Sequence, residues 1–231
     1  MAAGDNNPWA STPTHADFVL PEDEPYIRAF NDTFAKADRD HRIDLSLPPE
    51  PFQGFHDAPL VLLFANPGRS ARTASEPSAE RTLKELTRAN LVTPGGVPYY
   101  LLDERVESTP GGEWTRRCLG GLLKLGHTYE DLSRLVMAVE FHGYHSAKWA
   151  APPVTLPSQH FGFDLVRSAM NRGATIVVAR ARRYWYVAVP GLASYKGIIT
   201  THTQRSSNIS EGNLGEEGFA KVEKCLVAAT Q

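Results

Sequence analysis

Only two cysteines, Cys118 and Cys225, occur in 231 residues. That number rules out a disulfide framework, a cysteine zinc site and an iron–sulfur cluster. Both sit in helical patterns, RRCLGGLLKL and FAKVEKCLVAA, and read as buried structural thiols of a cytoplasmic protein. No apolar run approaches the length of a membrane span. The first residues, MAAGDNNPWASTPTHADF, lack the basic-then-apolar layout of a signal peptide. They read as a loose tail over 1–18, ahead of a single domain over 19–231. Also missing are G-x-x-x-x-G-K-[ST], G-x-G-x-x-G and G-x-S-x-G, the phosphate-loop, dinucleotide and nucleophile-elbow signatures. No pair of carboxylates suggests a glycoside hydrolase. Acid is absent throughout residues 165–210, a stretch that carries Arg167, Arg172, Arg180, Arg182, Arg183, Lys196 and Arg205. Such a stretch is either a solvated face or a surface for a polyanion such as a phosphate backbone.

What is present is a chain with 42% hydrophobic residues and a net charge of −2, ample for a sizeable core. Four apolar runs, at 60–65, 135–141, 174–180 and 197–203, read as strands covered on both faces. Helical spacing recurs between them. In 22–41 it places Tyr26, Phe30 and Phe34 on one face, and it returns at 77–91, 112–126, 129–135, 156–173 and 214–229. Ser158 is placed as an N-cap and Gly173 as a helix stop. Residues 93–112 are rich in Pro and Gly and read as a loop or short hairpin. Alternating strands and helices predict an α/β/α three-layer sandwich around a mostly parallel four-stranded sheet.

Each predicted strand ends in a polar or aromatic cluster: ANPGRS, EFHGYHS, ARARRYW and THTQRSSNIS. In open α/β sheets ligands bind outside the carboxyl ends of the strands, so the four clusters would converge on one site. In the first cluster a side-chain amide, Asn66, can both donate and accept, which suits it to holding a water. Pro67 presets its backbone and Gly68 admits close approach. The competing reading is a plain Asn-Pro-Gly turn.

The strand ending Phe64-Ala65-Asn66-Pro67-Gly68-Arg69-Ser70 resembles the first motif of the uracil-DNA glycosylase superfamily, closest to its mismatch-specific uracil/thymine branch. Phe64 stands where that motif has its first glycine. The counterpart of the second motif is His202 to Ser210, HTQRSSNIS, which departs from the pattern by lacking the proline. The resemblance in element order spans residues 59–229. It implies a uracil-DNA-glycosylase-like fold and a monofunctional DNA glycosylase, acting as a monomer on DNA with no cofactor and no metal. In that chemistry a flipped base departs as a stabilised anion and a positioned water captures the sugar. Asn66 falls on the water-positioning residue. Being an amide it can only orient, which implies a slower, leaving-group-driven reaction.

Glu140 falls where the family supplies an Asn that reads the uracil edge. A carboxylate suits the exocyclic amine of cytosine instead, and favours a cytosine-like base, modified at C5 as in phage DNA. Alternatively Glu140 pairs with a nearby Arg or with Lys148. His142 and His145 are a metal pair, or part of a base pocket in which His142 donates to the base and Phe141 or Tyr144 stacks on it, or loop residues that pack locally. Phe64, Pro67, Gly68, Arg69, Ser70 and His202 complete the expected substrate site. Arg183, Arg205, Ser206, Ser207, Asn208 and Ser210 are expected to hold phosphates, with Ile209 as a wedge in the vacated stack. For the 205–210 loop the alternative is a polar cap on the last helix. Two other functions remain: a conventional uracil/thymine mismatch glycosylase, and a catalytically silent nucleic-acid or nucleotide binder.

Overall fold

Strand β2 (Leu60–Phe64) is buried at all five positions and lies at the centre of the sheet. The computed structural model describes residues 7–229. Strands β3 (Val136–Glu140) and β4 (Thr175–Val178) flank β2 in parallel, and β5 (Ile198–Thr200) continues beyond β4. These are the four expected runs, each trimmed by one to four residues where the sheet ladder stops. A fifth strand, β1 (Phe52–Gln53), pairs antiparallel with β3, giving the order β1-β3-β2-β4-β5. Among the described residues the expected four-stranded sheet is therefore five-stranded. Two residues are too few to show any periodicity, so β1 is invisible as a pattern. Just after it, Gly54 has φ +93, and a Cβ there would stand 2.3 Å from the Val136 carbonyl oxygen. Only glycine lets the chain pass so close.

Successive strand residues face opposite sides and feed two cores. Leu60, Leu62 and Phe64 join Leu119 of α3 (Pro110–Leu119), Leu132 of α4 (Tyr129–Leu135) and Leu226. Leu226 belongs to α7 (Glu211–Ala228). Val61, Leu63 and Ala65 pack on Phe163 of α5 (Gln159–Asn171) and Trp185 of α6 (Arg182–Ala188). Each fully buried aliphatic side chain contributes about 1.5–3 kcal/mol of transfer free energy. Helices thus cover both faces of the mostly parallel sheet. Among the described residues no helix is long and apolar enough to cross a membrane.

Several local expectations are revised. The loose tail does not extend to residue 18. Trp9 is 1% exposed and packs with Leu20, Phe52 and Tyr144 in a third core, while Asn7 Nδ2 donates to Leu91 O. Residues 1–6 lie outside the described chain. Helix α1 (Glu24–Asp32) stops short of Phe34, and it buries Ile27 and Phe30 while Tyr26 is 46% exposed. Residues 93–112 form no hairpin. They make two 3₁₀ turns that bury Tyr99 to Leu102 beside α2 (Pro77–Val92) and α3. Ser158 gives no side-chain cap to α5; its backbone N–H is held by Asp23 Oδ1 instead. Gly173 does end that region with φ +82. Cys118 is buried and Cys225 half-buried, both as free thiols.

Candidate functional site

Because β2, β3 and β4 are parallel, their carboxyl ends share one edge of the sheet, and the register places Phe64 opposite Glu140. A cavity of about 510 Å³ opens there. Phe64, Asn66 and Gly68 enter it from β2, Glu140 from β3 and Arg180 from beyond β4. Glu50 and Gln53 reach it from around β1, and Tyr99 and Trp114 from the α2–α3 side. Its size is that of an ordinary small-ligand site.

Asn66 is held by its amide nitrogen, which donates to Pro67 O and to Ser146 Oγ, both at 2.9 Å. Ser146 Oγ in turn donates to Lys148 O at 2.9 Å, so the direction of the chain of donors is set. Asn66 Oδ1 accepts from no described protein group and is the end left for a ligand or water. This is more than a plain turn. Gly68 meets nothing within 4 Å of where a Cβ would lie, so its missing side chain leaves open space. The segment is pinned by Arg69 N donating to Ser146 O and by His145. The His145 ring lies 3.0 Å from both Gly68 O and Pro48 O. Arg69 pairs with Asp44 at 2.6 Å, and Ser70 Oγ accepts from Arg72 N.

Glu140 is paired neither with Lys148, which binds Asp40 at 3.0 Å, nor with any other cation within 4.0 Å among the described residues. Arg180 spends its Nε on Ser207 Oγ at 2.7 Å and its Nη2 on Arg205 O at 3.2 Å. Glu140 Oε2 is sealed from solvent without a hydrogen-bond partner. Burial pushes its carboxyl well above the usual range, Glu50 pushes it further and Arg180 pulls it back. Burial also raises Glu50, against His145 and the Gln53 amide, which donates to Glu50 Oε2 at 3.2 Å. The cavity therefore holds two carboxyls inclined to keep their protons, close to one guanidinium.

Other expected residues go elsewhere. Phe141 packs among Trp149, Phe163, Tyr184 and Trp185. Tyr144 donates to Asp23 Oδ2 at 2.7 Å in the third core. Neither stacks over the cavity; the aromatic side chains that line it are Phe64, Tyr99, Trp114 and Trp149. His142 is buried behind Trp149 with ring centroids 5.2 Å apart and neither nitrogen partnered. Burial, then His145, lowers its pKa to about 3, so it is a neutral ring one layer back from the cavity. His142 and His145 thus do different work, and no group of three metal-ligating side chains is assembled among the described residues.

The expected phosphate loop divides. Ile209 is 0% exposed in the core, with its N–H on Cys118 O, so it cannot serve as a wedge. Ser207 is buried under Arg180, and the carbonyls of Ser206 and Asn208 are taken by Asn213 Nδ2. The loop is thus tied to the start of α7, where Ser210 stands at the N-cap position but gives no side-chain cap hydrogen bond. Arg205 and His202 are exposed but do not line the cavity, and Arg183 lies exposed over the Tyr184 ring at 4.6 Å. The acid-free stretch is also partly spent internally. Arg167, Arg172, Arg180 and Arg182 each donate to a backbone carbonyl. Among the described residues the exposed cations that line the cavity are Arg69, Arg72 and Lys84, of which Arg69 is paired with Asp44 and Arg72 with Glu113.

Sequence reasoning passed over Glu50, Gln53, Trp114, Trp149 and Ser146. Ser146 lay in a cluster already singled out, HGYHS, whereas Glu50 sits in a proline-rich segment with no pattern to mark it. No protein-family model, curated protein or solved structure gives a significant match to this chain.

Proposed function

We propose that this protein is a monofunctional DNA glycosylase of uracil-DNA-glycosylase-like fold. On this reading it excises a flipped, amine-bearing base, a C5-modified cytosine, and leaves an abasic site. The observation that carries the reading is the meeting of Asn66 and Glu140, 74 positions apart by residue number, in one aromatic-walled cavity at the sheet edge. Asn66 Oδ1 accepts from the attacking water and orients it toward the anomeric carbon. No carboxylate stands in hydrogen-bond contact with Asn66, so departure of the base drives the reaction. Glu140 receives the exocyclic amine, and Phe64 and Trp114, edge-to-face at 5.2 Å, wall the ring.

The test is base release from matched duplexes carrying uracil, cytosine, and hydroxymethylated or glycosylated cytosine. A mispaired buried polar group costs about 1–3 kcal/mol, so uracil should trail the modified cytosine by roughly tenfold to hundredfold. Efficient release of uracil alone would identify a conventional uracil repair enzyme. Binding without release from any duplex would identify a silent binder.

A further inference from the structure

Glu140 N–H donates to Pro51 O at 2.9 Å, which brings Glu50, the preceding residue, alongside the end of β3. Glu50 and Glu140 line the same cavity, yet neither carboxyl meets a cation within 4.0 Å among the described residues. Unpaired ionised carboxylates are costly in such a place; a neutral carboxylic acid is not. A neutral acid presents an acceptor and a donor side by side. With the proton on the oxygen that faces the ring nitrogen, that pair complements an amine adjacent to an unprotonated ring nitrogen, the N4/N3 edge of a cytosine; the reverse placement would serve the O4/N3–H edge of uracil, so the base panel above also reads which oxygen carries the proton.

We propose that Glu140 is the general acid of the excision: it accepts from the exocyclic amine and gives its own proton to the neighbouring ring nitrogen. The inference rests on the glycosylase reading and adds the proton's route. As the glycosidic bond breaks, its electron pair passes into the base, which leaves neutral because the ring nitrogen has gained the Glu140 proton. The water on Asn66 bonds to the anomeric carbon and releases a proton to solvent. The Glu140 carboxylate regains one from solvent, and the sum is hydrolysis with no co-reactant.

The surroundings fit a proton held on Glu140. Facing it are Glu50 from the segment before β1, Tyr99, Cys118 of α3, His145 beyond β3 and Arg180 beyond β4. Tyr99 and Cys118 are neutral, the phenol pushed well above its ordinary value and the thiol to about 12 by burial. Arg180 is the countervailing charge, and its bonds to Ser207 and Arg205 keep it off the carboxylate.

The experiment compares the full-length protein with Glu140→Gln, which keeps an acceptor and a donor but has no acidic proton. At neutral pH the difference infrared spectrum should show a protonated-carboxyl band in the wild type that the variant lacks. Its absence overturns the proposal. In single turnover, wild-type release should fall about tenfold per pH unit above the folded pKa of Glu140. The variant should be at least about a hundredfold slower and flat with pH, with duplex affinity unchanged. A variant with the wild-type rate and profile overturns the general-acid role and leaves the glycosylase reading standing. A wild type that releases no base defeats both, whatever the infrared spectrum shows.

Discussion

The Asn66 side-chain amide donates to the Ser146 hydroxyl at 2.9 Å across 80 residues of chain. The Ser146 hydroxyl donates its hydrogen bond to Lys148 O, so its oxygen is obliged to accept from Asn66. The loop after β3 thereby decides which end of the Asn66 amide looks outward, and the acceptor end is the one that could hold water.

Replacing Asn66 with Ala should lower base release by roughly 10²–10³-fold, the usual loss when one preorganised polar contact to the reacting centre is removed. On the glycosylase reading, affinity for DNA should stay within about twofold, because phosphate contacts generally dominate such affinity. Alkaline strand scission after incubation measures the first and a binding titration the second. Undiminished scission would remove Asn66 from the mechanism.

Ser146→Ala is a subtler probe. It deletes one of the two acceptors of the Asn66 amide nitrogen and leaves Pro67 O. The amide then has freedom to turn, and release should drop about tenfold, roughly 1.4 kcal/mol, with Km unchanged. A variant altered only in Km would show that Ser146 serves binding.

Stability should respond to pH through the two raised carboxyls. Both Glu50 and Glu140 have folded values above the ordinary 4.5. Their protonated forms therefore favour the folded state below that value, and the advantage is lost as pH rises through the folded values. Glu140→Gln should consequently melt higher than wild type, by about 2–4 °C per kcal/mol regained, and the gain should be larger at about pH 8 than at about pH 5. Thermal denaturation across that range would refute the assignment if the gain were equal at both ends.

Cations of the acid-free stretch and of the cavity rim should divide into two kinds. Arg182 donates to Thr201 O from a half-buried position, so Arg182→Ala should cost about 1–3 kcal/mol of stability and leave the salt dependence of DNA binding unchanged. Lys84 and Arg205 are exposed and make no ion pair within 4.0 Å among the described residues. Substituting either with Ala should flatten the log–log salt slope by about 1. Titrations at several salt concentrations distinguish the two classes; an unchanged slope for both Lys84 and Arg205 would place DNA on another face.

Trp9 tests whether the N-terminal segment belongs to the fold. Its ring is 1% exposed, at 5.5 Å from the Tyr144 ring. Trp9→Ala should cost about 3–5 kcal/mol, seen in chemical denaturation, whereas a dangling tail would cost nothing.

The sequence alone determined the alternation of elements, the four parallel strands and the position of Asn66 at the end of the first of them. Those features follow from contiguous apolar runs, and burial on both faces of a strand writes itself locally. Glu140 was singled out by the family resemblance, which expects a base-reading Asn near the end of its apolar run. Tertiary structure decided what each of these meets. Glu50 reaches Glu140 only through β1, two residues long, and Ser146 reaches Asn66 only through the loop that follows β3. The same holds for what sequence reading misplaced. Ile209, exposed by the polarity of its neighbours in sequence, is buried by Cys118 and the core around α3 and α7. The arginines of 165–210 look free for a polyanion, but four of them donate to backbone carbonyls. Periodicity reports which residues avoid water. Which partner a polar group finds depends on strand order and on chain segments far away in sequence.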